Sequence, residues 1–114
     1  MTFAIVLQLV ALLPWQPDTA MLGKLYEEAL ERKKQEYGPS DTRTLQAARD
    51  LGSFLSKHGA AGGARKVFAE IVRLDESTLG TASPQTLADV ASLAAVSPPA
   101  EAGPLWQRAS GQGQ

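Results

Sequence analysis

The chain contains no cysteine and only one histidine in 114 residues. The first absence excludes disulfides, thiolate metal sites and cysteine nucleophiles, and it is compatible with any compartment. The second leaves imidazole chemistry to His58 alone, in a glycine-rich stretch with no partner of distinctive spacing to act with it. An excess of one charge is missing as well. Lys and Arg number 11 against 12 Asp and Glu, a net charge of −1, so nothing draws the chain generally to nucleic acid or to an anionic membrane surface. The apolar run at residues 2–13, TFAIVLQLVALL, falls short of the roughly 20 residues that a membrane span needs. Serine has no G-x-S-x-G elbow. Gly59-x-x-Gly62-Gly63 lacks the Lys-Ser/Thr of a phosphate loop and follows a helical pattern, not a strand. Asp41, Asp50, Asp75 and Asp89 are dispersed, and Asp41 and Asp75-Glu76 read as helix-end residues rather than as a metal cluster. These residues imply no cofactor and no catalytic set.

What is present is a repeat. The chain is 44% hydrophobic, enough for the core of one domain. A shift of 42 residues carries Tyr26 to Phe68, Leu30 to Val72, Gly38 to Gly80, Thr44 to Thr86, Leu45 to Leu87 and Leu51 to Leu93. The string YGPSDTRTL at 37–45 faces LGTASPQTL at 79–87. With the last turn shortened by four residues, Ala102, Trp106 and Ala109 reproduce the spacing of Ala64, Phe68 and Ile71, and of Leu22, Tyr26 and Ala29. Residues four and three apart share one helical face. A small residue there admits the neighbouring helix and an aromatic fills the gap beside it, so Tyr26, Phe68 and Trp106 are expected as core wedges. A fixed period in this range marks stacked supersecondary units, each burying its apolar stripe against the next.

The pattern resembles the tetratricopeptide repeat, and YEEAL, YGPSDTRTL and PLWQRA within a 42-residue period are similar to its kinesin-light-chain-type variant. The resemblance covers roughly residues 22–110. It matches the family's Leu-then-small pair of the first helix at Leu51-Gly52 and Leu93-Ala94, and the small, aromatic, small pattern of the second at Ala64, Phe68 and Ile71. The family's paired asparagines, which hold peptide backbone, are replaced by Arg49-Asp50 and Ala91-Ser92. The resemblance implies an all-α fold, a short right-handed superhelix of antiparallel helix pairs.

In order, residues 1–20 form an apolar N-terminal segment, 21–110 the helical-repeat domain and 111–114 a flexible tail. The apolar segment has two readings, an export signal of the right length or a first packed helix that the period places there. The first puts the protein outside the cytoplasm, the second inside it. Pro14-Trp15-Gln16-Pro17 breaks any helix. Helices are then expected over 19–36, from Asp41 or Thr42 to Lys57, over 64–78 after a glycine-rich turn at 58–63, over 85–96, and over 100–109 with an interruption at Gly103-Pro104.

The function implied is a non-catalytic protein–protein interaction module of tetratricopeptide type. On the family's pattern, the positions facing its groove are Gln46, Arg49, Ser53 and Lys57, all polar and spaced to suit an extended or acidic peptide. The partner is a protein or peptide; neither nucleic acid nor a stable membrane span is expected. The alternative is a structural or capping piece that self-associates as a homodimer through the alanine-rich helix 85–96 and Trp106.

Overall fold

Five helices follow one another through residues 19–111, which are the residues that the computed structural model of the protein describes. They are α1 (Thr19–Tyr37), α2 (Thr42–Lys57), α3 (Ala61–Thr78), α4 (Pro84–Ala95) and α5 (Pro99–Ala109). Among the described residues there is no strand, and each helix packs against its neighbours in the chain. The expectations for the apolar segment at 2–13, the proline break at 14–17 and the end of the tail lie outside these residues.

The 42-residue period is visible as a repeated piece of backbone. Gly38 ends α1 at φ 91° and Gly80 follows α3 at φ 92°, a left-handed conformation that glycine adopts without a Cβ penalty. Two buried threonines then reach back across the turn. The Thr44 hydroxyl lies 2.7 Å from the Gly38 carbonyl, and the Thr86 hydroxyl donates to the Gly80 carbonyl at 2.8 Å. The residues before the two helices, Asp41 and Ser83, share an extended backbone. Only Asp41 adds a side-chain cap, accepting from the Arg43 amide at 2.9 Å. Pro84 opens α4, where its missing N–H costs nothing.

The core sits where α2 meets α3. Leu45 and Ala48 of α2 and Ala64, Phe68 and Ile71 of α3 form its centre, with Leu30, Leu55, Val67, Leu74, Leu93 and Val96 packed against it. Gly52 is small because it must be. A Cβ there would lie 2.8 Å from Phe68 Cζ and 2.9 Å from Cε2. The equivalent position in α4 is Ala94, almost fully buried, so both helices use a small residue to admit their neighbour.

Several expectations are corrected. Helix α3 begins at Ala61, not Ala64, and Gly62 and Gly63 belong to its first turn. The turn proper is His58–Ala60, where Gly59 alone needs positive φ. Helix α5 runs without interruption through Pro104, which forfeits one backbone bond rather than the helix. Phe68 is the core wedge foreseen, but Trp106 is 49% exposed and Tyr26 is 37% exposed, its ring tilted against Phe54 at 5.0 Å. Helices α1 and α5 each make close backbone contact with one described neighbour only, and neither has a fully buried residue.

Candidate functional site

The four residues expected to face a groove separate into two groups. Gln46, Ser53 and Lys57 are exposed on α2, with the Gln46 amide donating to Asp50 at 3.1 Å. Ser53 and Lys57 border an open depression of about 560 Å³ together with Leu22, Tyr26, Asp50, Phe54 and His58. His58 lies over Phe54 with ring centroids 4.4 Å apart. Arg49 turns the other way. Its guanidinium grips Asp89 of α4 through both oxygens, at 2.9 and 2.8 Å, and its side chain is 17% exposed. A fork already committed to a carboxylate is not available to a peptide on the α2 face.

That pair belongs to a buried cluster which sequence reasoning missed. Asp75 of α3 has no exposed surface at all. Its Oδ1 is 3.9 Å from the Arg49 guanidinium, too far for a hydrogen bond, and neither of its oxygens receives a hydrogen bond from an N–H or hydroxyl donor. Gln85 supports Asp89 instead, at 3.3 Å. Burial above all, then the hydrogen bond and the charge of Asp89, push the Asp75 carboxyl up to about 7 against the pull of Arg49. Burial works on Asp89 too, but hydrogen bonds from Arg49, Asp75 and Gln85 outweigh it and hold this carboxyl below its ordinary value. One proton between two carboxyl groups accounts for both directions, since like charges this close do not both ionise in a dry site. The signal was in the spacing. Asp75 stands at the end of the stripe Ala64, Phe68, Ile71, Val72, and Asp89 follows Thr86 on the buried side of α4. The 42-residue shift pairs them with Lys33 and Ala47, so the cluster departs from the repeat.

On the opposite side of α2 from the open depression, a groove of about 310 Å³ runs between α1 and α3. Leu45 and Ala48 of α2 lie at its base, with Leu30 on one wall and Val67, Ile71 and Leu74 on the other. Charge is confined to Lys34, Lys66 and Glu70. Glu70 is held by Arg73 of its own helix, which keeps its carboxyl below the ordinary range, while Lys66 makes no ion pair among the described residues.

No family model matches this chain, and no curated protein matches it. Among the described residues, no His, Cys, Asp and Glu side chains gather in a set able to hold a metal ion. No helix there is long and apolar enough to cross a membrane. The groove therefore offers apolar contact and two ammonium groups, and the buried cluster offers a proton; neither brings together a nucleophile with a base.

Proposed function

We propose that this chain is a non-catalytic interaction module of tetratricopeptide type, a short right-handed superhelix that binds a peptide in the groove between α1 and α3. The repeated threonine-to-glycine turn supports the helical-repeat reading. The single observation that carries the binding is the groove itself, apolar at its base and basic at its rim. Its occupant is a short segment with two leucine-like side chains flanked by carboxylates. The apolar walls take the former, and Lys66 takes the latter with Lys34, which exchanges its exposed pair with Glu31 at 3.6 Å for the peptide; Glu70 is already neutralised by Arg73.

The magnitude is modest. Burying two aliphatic side chains contributes about 3–6 kcal/mol, and association costs at least about 4 kcal/mol in lost freedom. On these terms binding is millimolar or weaker, in keeping with a volume at the lower end of ligand pockets, about 300–1,000 Å³. Two synthetic peptides test it, identical in their leucines and flanked by glutamates or by lysines. The glutamate peptide is expected to shift the amide resonances around Leu30, Val67 and Leu74, and the lysine peptide to bind at least several-fold more weakly. In the Lys34→Glu, Lys66→Glu protein the preference reverses. Equal binding of both peptides, or shifts confined to Ser53 and Lys57, removes this groove as the site.

A further inference from the structure

Helix α3 is held to α4 by more than apolar contact. Asp75 and Asp89 meet at that seam out of water, their carboxyl oxygens 3.9 and 2.8 Å from one and the same Arg49 nitrogen, and Arg49 of α2 donates only to Asp89. A carboxylate buried without a donor is strongly unfavourable. A neutral carboxylic acid in the same place has a donor of its own, and the Asp89 carboxylate is there to accept it.

We propose that Asp75 and Asp89 form a proton-operated clasp between α3 and α4, closed when they share one proton and opened, with α4 and α5 loosened together, when that proton leaves. The charged groups around it set the sign. From α2, Arg49 faces the pair, with Asp50 acting on Arg49 from the same helix. From α4 there is Asp89, with the neutral Gln85 beside it. On α3 the next residue, Glu76, is neutralised by Arg108 of α5. One cation against two buried carboxyls leaves the site a charge short of balance if both ionise. The proton restores it.

Linkage gives the window. The Asp75 carboxyl is raised from 3.8 to about 7 on folding, so the folded chain binds more protons than the unfolded chain between those values. Stability from this group is complete below about pH 4, falls as pH rises, and levels off above about pH 7. One proton corresponds to a roughly tenfold rise in the unfolding constant per pH unit in that interval. The clasp stands independently of the peptide groove, which lies on other residues.

The decisive comparison is wild type against Asp75→Asn, an amide of the same shape that donates to Asp89 at every pH. Chemical denaturation from pH 5 to 8 is expected to show the wild type losing stability with rising pH. The variant should hold nearly constant and be the more stable of the two at pH 8. A variant with the wild-type slope, or one less stable at pH 8, overturns the proposal. Two measurements on the wild type stand even if the variant folds poorly. Carboxyl-carbon NMR should show one aspartate titrating near 7, and one titrating near 4 instead contradicts the shared proton. Amide exchange, corrected for its intrinsic pH dependence, should show protection lost between pH 6 and 8 over residues 84–109 and retained in α2. Uniform loss along the chain, or none, rules out a clasp at this seam.

Discussion

At the scale of the residue, Gly52 and Phe68 are two halves of one contact. The ring tip occupies the space a Cβ would need, and the ring is itself buried. Gly52→Ala improves helix propensity by about 1 kcal/mol, but overpacking a closed site costs about 1–3 kcal/mol. The variant is therefore expected to lose about 1 kcal/mol net in denaturant titration. Phe68→Ala empties the same site and is expected to lose about 3–5 kcal/mol. In Phe68→Ala the Gly52→Ala substitution loses its steric cost, so the double variant should be more stable than Phe68→Ala alone. Additive losses would show that the two positions do not touch. The Leu-then-small pairs at 51–52 and 93–94 were legible in the sequence through their resemblance to the tetratricopeptide pattern, which wants a small residue on a packed face. Arg49 was not. Its position on α2 was placed correctly, but its direction depends on a carboxylate 40 residues away, and no local pattern reports such a partner.

The scale of the element is where the repeat has its physical meaning. Gly38 and Gly80 share their φ, and a Cβ at either would meet nothing within 4 Å. Alanine at each position should therefore cost the same, about 1–2 kcal/mol of backbone strain, measured as two nearly equal losses of stability. Unequal losses would mean that the turns are not equivalent. Gly62 gives the opposite sign. It lies inside the first turn of α3 with open space around it, so Gly62→Ala is expected to stabilise by about 0.5–1 kcal/mol. A destabilised variant would move the start of α3 back toward Ala64, where composition had placed it. Helix existence was legible throughout, since apolar residues three and four apart are visible without tertiary information. The start of α3 was obscured because glycine signals a turn, whereas here Gly59 alone makes the turn and Gly62 and Gly63 are helical. For α5, the local preference of Gly103-Pro104 gave way to packing on α4.

For the whole molecule, the polar α2 face and the α1–α3 groove lie on different surfaces, and the groove holds none of the four residues that the sequence suggested. The polar face was readable because it needs only helical spacing. The groove was not, because it forms where two helices distant in the chain leave a gap over a third, and none of its residues is unusual alone. The charge-reversal experiment on Lys34 and Lys66 belongs to this scale, as does the pH dependence of the α3–α4 seam.

The grip of Arg49 on Asp89 has a mechanical consequence. Among the described residues, close backbone contacts between helices run only between consecutive ones, an arrangement in which the two ends can melt separately. A single guanidinium bridging α2 to α4 across the buried edge of α3 makes the fate of one end depend on the other. While the Asp75–Asp89 proton is in place, residues 42–95 are expected to unfold as one unit. In Arg49→Met, the calorimetric and van't Hoff enthalpies should part company and a second melting step appear. Arg108 of α5, paired with Glu76 of α3, skips α4 in the same way, so side-chain bridges join what backbone contacts leave separable.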